Sequence, residues 1–206
     1  MVPPVLPSDW YQLPPSLPEW SEERWLERGY SYYQQIQPLI PYRHLRFDID
    51  SAIWRRRLVW IGQNIHRLNQ RLWELTQSCF DCFLTTCPPI RPWAFPLGLV
   101  LQPDLKLAGL CNLDISPIAL IIDVGQISPE DWLRVVVHEF AHAVSGAGHG
   151  PDFQSALTHL CIGLGFPPPV TLSNAQGLRQ WPPYRPSRQT TFWSGEPTYG
   201  SSNLII

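Results

Sequence analysis

The sequence predicts an α+β fold: one small domain in which a long helix and a second, histidine-bearing helix pack on a three-to-four-stranded sheet. Three observations carry this expectation. Trp54, Leu58, Ile61, Ile65, Leu68, Leu72 and Leu75 recur at alternating spacings of four and three, the stripe of a helix with one buried face. From Phe95 to Gly125 the pattern changes to short apolar runs broken by turn residues, the mark of strands. The segment SPEDWLRVVVHEFAHAV from Ser128 then returns to helical character.

Taken in order, residues 1–20 hold Pro3, Pro4, Pro7, Pro14, Pro15 and Pro18, which remove backbone donors and oppose both helix and central strand. They read as an extended arm that adds little to the core. SEERWLERGYSYYQQIQ from Ser21 has a cap and an acidic first turn, so a short helix follows. The striped segment from Trp54 to Leu75 is the long helix; packing on a sheet is its expected use, ahead of a coiled-coil seam. FPLGLVL, LKLAGLCNL and IALIIDVG read as three strands of an antiparallel or mixed sheet. Ser128 as N-cap, Pro129 at the first helical position, and Glu130 and Asp131 in the first turn start the next helix. PDFQSALTHLCIGLGF closes the domain, with Phe153, Ala156, Leu157, Leu160 and Leu164 facing inward. Residues 21–166 thus form the domain, and residues 167–206, opening on Pro167-Pro168-Pro169, form a Pro-rich tail that Trp181, Tyr184, Phe192 and Trp193 could pin to the body.

A chain of 206 residues with 44% hydrophobic content supports one such core. The formal charge of -2 gives no clustered basic surface for nucleic acid or an anionic membrane, and Arg55-Arg56-Arg57 reads as a solvated helix face. No apolar run reaches membrane-spanning length, and the Pro-rich opening does not read as a signal peptide. The expected compartment is cytoplasmic, and the odd count of 5 cysteines fits reduced thiols.

The stretch VVVHEFAHAVSGAGHGPDF carries the chemistry. Four residues apart on a helix, His138 and His142 project from one face and can grip a single ion. Glu139 lies about 100° round from His138, an offset that misses the ion and reaches a water beside it, where a general base is needed. Catalytic zinc takes three protein ligands, so a third is required. Gly146, Gly148 and Gly150 allow positive φ angles that end the helix and turn the chain, letting His149 return toward the pair. Asp152 is the alternative third ligand, although an acid at a helix start is favoured by the helix dipole alone. His44, His66 and His159 read as surface or packing histidines. Cys79, Cys82 and Cys87, with Cys111 as a possible fourth thiolate, lack the two paired spacings of a structural zinc and read as inert thiols.

These residues resemble the SprT-like zinc metalloproteases, whose signature is H-E-x-x-H followed after a short insert by H-G-P-x-F. AGLCNLDISPIALIIDVGQISPEDWLRVVVHE is similar to that family's strand, turn, strand and active-site helix. The resemblance spans about residues 50–166, and the metal motif is its specific part. It implies a small zincin fold, zinc on His138, His142 and His149, Glu139 as catalytic base, and a protein or peptide substrate. The metzincin pattern is missed by one residue, since Gly146 and His149 each fall one place late. Two other readings stand beside the peptidase: a non-catalytic module using zinc as a staple, and a nucleic-acid-associated SprT-like protease, which would need a basic face and DNA-binding part that the sequence does not show.

Overall fold

A computed structural model describes residues 8–11, 20–40, 52–95, 108–125, 127–146, 148–169, 175–179, 181, 183 and 185. Its elements in chain order are helix α1 (Ser8–Tyr11), α2 (Glu22–Ile36), α3 (Ala52–Phe80), strands β1 (Ile90–Ala94), β2 (Gly109–Asn112) and β3 (Ile118–Ile122), then α4 (Trp132–Ser145), α5 (Pro151–Gly163) and α6 (Ala175–Arg179). The architecture is the expected α+β domain with a mixed sheet. Among the described residues the strand order is β1-β3-β2, with β1 parallel and β2 antiparallel to β3.

Local signals explain most of the boundaries. Ser21 caps α2 by accepting from the backbone N–H of Arg24, with Glu22 and Glu23 in the first turn. The same acids pair with Arg55 of α3, so one member of the arginine run tethers α2 to α3. Leu58, Ile61, Ile65, Leu68, Leu72 and Leu75 are all buried, and α3 packs against α2, α4 and β1. The α2–α3 crossing is made close by two glycines. A Cβ at Gly29 would stand 1.9 Å from the Leu58 carbonyl oxygen, and one at Gly62 would stand 2.0 Å from that of Trp25.

One strand is added to the expected set and the reading of the arm is corrected. Strand β1, ending at Ala94, is not among the expected strands, while residues 96–101 of FPLGLVL, expected as a strand, fall outside the described residues. Pro92 is tolerated in β1, on one side of the three described strands, and its carbonyl accepts from the Tyr11 hydroxyl. The arm is not merely extended: Ser8–Tyr11 form a helical turn, Tyr11 is buried, and the Trp10 carbonyl accepts from Asn69 at 3.1 Å. The tail reaches the body, as Trp181 allowed: Leu178 is buried in the core and Trp181 packs against it. Tyr184, Phe192, Trp193 and His44 lie outside the described residues.

Ser128 stands at the N-cap position of a single 3-10 turn, Pro129–Asp131, its hydroxyl donating to the Glu130 carboxylate, and the turn runs directly into α4. Phe153, Leu157 and Leu160 form the buried face of α5, with Ala156 and Leu164 partly buried beside it. His66 is buried in α3, and exposed His159 rests on Phe83 with Nε2 2.7 Å from the Cys82 carbonyl oxygen. No helix among the described residues is long and apolar enough to cross a membrane.

Candidate metal centre

Helix α4 projects His138 and His142 from one face, their ring centroids 5.0 Å apart. The helix stops at Gly146, which adopts φ 62° and donates its N–H to the His142 carbonyl at 2.9 Å. This left-handed cap suits glycine and turns the chain out of the helix. Of the three glycines expected to take positive φ, only Gly146 does so; Gly148 and Gly150 turn the chain without it. His149 returns as the spacing suggested, with its Nε2 3.1 Å from the Nε2 of His138 and its ring 4.5 Å from that of His142.

One ligand atom from each of His138, His142 and His149 lies within 4.8 Å of the others. This set could hold a metal ion, and among the described residues it is the one group of His, Cys, Asp or Glu side chains so placed. The donors fit the role. Imidazoles bound at about 2.0–2.1 Å in a tetrahedral array stand about 3.4 Å apart, close to the spacing of His138 and His149. Burial first, then the neighbouring histidines, lowers His138 to about 3; burial, His142 and Arg179 lower His149 to about 4. Both rings are therefore neutral at pH 7, the form that ligates metal.

Phe153 forms the floor of this cluster. It is fully buried on α5, and its ring centroid stands 5.0, 4.2 and 4.8 Å from those of His138, His142 and His149. The sequence placed Phe153 on the inner face of its helix but gave no sign that it supports all three imidazoles. Asp152, the alternative ligand, is exposed in the first turn of α5 and is not part of the cluster. Nor do Cys79, Cys82, Cys87 and Cys111 gather around a shared point, and burial raises the pKa of each thiol.

Comparison with protein-family models, curated proteins and solved structures returned no match. The chemistry of the centre therefore rests on its own geometry.

Glu139 is absent from the ligand set and turned toward the sheet. It is only 7% exposed, and burial pushes its pKa up to about 8. Its Cγ and Oε1 lie so close to Gly109 of β2 that a Cβ there would stand 2.8 Å from each. A glycine at the start of β2 thus makes room for this carboxyl group, a role hidden in the sequence because LKLAGLCNL reads only as an apolar strand.

Proposed function

We propose that this chain is a zinc-dependent metallopeptidase. One observation carries the reading: three histidines, two of them held neutral by burial, converge on one point, while Glu139, next in sequence to one of them, is buried and outside the cluster. Three imidazoles, with no fourth donor beside them among the described residues, match the donor set of catalytic zinc sites, whereas structural sites close all four positions. Resemblance to the SprT-like proteases supports the same assignment through H-E-x-x-H and the following H-G-P-x-F.

His138, His142 and His149 would hold the ion. Zinc held there supplies a Lewis acid and lowers the pKa of water toward neutrality. Glu139 performs the proton work: its carboxylate takes a proton as water attacks the scissile carbonyl, then delivers it to the departing amine. Burial by itself favours the protonated carboxyl group, and a neighbouring divalent cation favours the carboxylate, so the two influences bring Glu139 toward the range a base needs. The apolar floor at Phe153 and the backing of β2 hold the rings and the base in fixed positions.

The test is metal analysis of the purified protein together with cleavage of a broad peptide library. The proposal expects about one zinc per chain and hydrolysis abolished by a chelator and restored by zinc. Zinc bound without cleavage of any peptide would favour the staple reading; failure to bind any divalent metal would remove the peptidase reading altogether.

A further inference from the structure

The described part of the tail is anchored before and after Trp181. On one side Leu178 of α6 is buried in the core, while the neighbouring Arg179 is close enough to His149 to lower its pKa. On the other side Arg185 is fastened to the start of α4. Its backbone N–H donates to Asp131 Oδ2 at 2.8 Å, its Nε donates to the same oxygen at 3.0 Å, and its carbonyl accepts from the N–H of Ser128 at 3.0 Å. Asp131 is buried; burial raises its pKa, but the Arg185 hydrogen bonds and charge outweigh this and hold it below the usual aspartate range. Trp181 lies between these anchors, packed against the core and donating its N–H to the Leu178 carbonyl at 3.3 Å.

What this segment meets is the outer side of His138. Nε2 of that ring faces His149, so the opposite nitrogen, Nδ1, points away from the shared centre. Nδ1 is buried and makes no hydrogen bond of full geometry. The backbone of Trp181 lies close enough to the His138 ring to favour its protonated form, as a carbonyl acceptor does. A ligating histidine ordinarily donates its second ring N–H to a carbonyl or carboxylate, which fixes its tautomer and orientation and makes it a better ligand.

We infer that the tail is a built part of the metal centre, with the main-chain carbonyl of Trp181 accepting the Nδ1–H of His138 and the Leu178 and Arg185 anchors holding it there. Trp181 is on this view a positioning residue, acting through His138 and by its backbone. The segment supports the side of the ring that faces away from the other two histidines. The inference rests on the reading of the three histidines as a metal site.

The test uses the full chain loaded with zinc, its Arg185→Ala variant and its Leu178→Ala/Arg185→Ala double variant. Arg185 is exposed, so the single variant should fold even if the double variant does not. Loss of such support typically weakens metal binding tenfold to a hundredfold. Zinc affinity, read by competition with a chelator, should fall into about that range for the double variant and move less, in the same direction, for Arg185→Ala. Proton NMR of the zinc-loaded wild type should show a slowly exchanging His138 Nδ1–H, which exchanges faster in both variants. Unchanged zinc affinity and an unchanged ring proton in the folded Arg185→Ala variant would overturn the inference while leaving the metal site intact. Faster peptide hydrolysis with unchanged zinc affinity would also overturn it, showing that the segment covers the substrate side. Absence of zinc binding by the wild type would instead remove the metal reading on which the inference rests.

Discussion

At the scale of single residues, Glu139 is controlled by Gly109. An added methyl group at Gly109 would collide with Cγ and Oε1 of the Glu139 side chain and press on Val135, and none of these nearest atoms belongs to the three histidines. Gly109→Ala should therefore keep its zinc and lose about tenfold or more in turnover, because a displaced base is costly even when the metal is not. Loss of zinc in parallel with activity would show that the glycine serves the whole site rather than the base. His66 offers a second residue-level test, this time of stability. It is buried with neither ring nitrogen hydrogen-bonded, and burial, reinforced by Arg28 and Arg67, lowers its pKa to about 4. The unfolded chain takes a proton on this ring below about pH 6.5 while the folded chain resists it. Stability associated with His66 is thus present above about pH 6.5 and lost as the pH falls toward about 4, a difference of about 3 kcal/mol across the window. His66→Leu should flatten that part of the acid unfolding profile, measured by denaturant titration at pH 7 and pH 4.5. An identical acid slope in both proteins would contradict the burial argument.

At the scale of elements, the helices were legible because their apolar spacing and caps act locally. The stripe from Leu58 to Leu75, the Ser21 cap and the Pro129 start all appear in the structure where the residues indicate. Strand β1 was not legible, since Pro88, Pro89, Arg91 and Pro92 break the alternation that marks a strand, and its support comes from pairing with distant β3. The glycine crossing of α2 and α3 was hidden for the same reason: Gly29 and Gly62 are ordinary helix-weakening residues until the helices meet. A methyl group at Gly62 would strike the backbone of Trp25, not a movable side chain, so Gly62→Ala must push the helices apart. Better helix propensity returns about 1 kcal/mol, while overpacking costs about 1–3 kcal/mol or more. A lower urea midpoint is expected, and a raised midpoint would show that the crossing can relax freely.

For the whole molecule, the domain is assembled partly by segments that composition alone sets aside. Proline density marks the arm and tail as poor ground for regular structure, yet it says nothing about single anchors such as Tyr11, Leu178 and Arg185. Tyr11 fills the space between α3 and β1, edge-on to Trp73 and tilted against Trp93. Tyr11→Ala should lower the unfolding free energy by about 3 kcal/mol, as for other buried aromatic truncations. An unchanged denaturation midpoint would return the arm to the role of a loose extension. The metal ligands were legible because His138 and His142 share one helix turn and a glycine cap follows them. Their floor at Phe153, the space at Gly109 and the tail at Trp181 come from distant sequence, and only the folded chain brings them together.

The central claim assigns metal binding to three histidines and proton transfer to Glu139. Glutamine has nearly the size and helix propensity of glutamate but cannot accept the proton, so Glu139→Gln separates the two roles. The decisive measurement is zinc content and peptide hydrolysis on the same preparation of this variant. The account predicts about one zinc per chain, as for wild type, with hydrolysis reduced by about a hundredfold to ten-thousandfold. Full activity with bound zinc would contradict it by placing the base elsewhere; loss of the zinc would contradict it by making Glu139 part of the metal's own support.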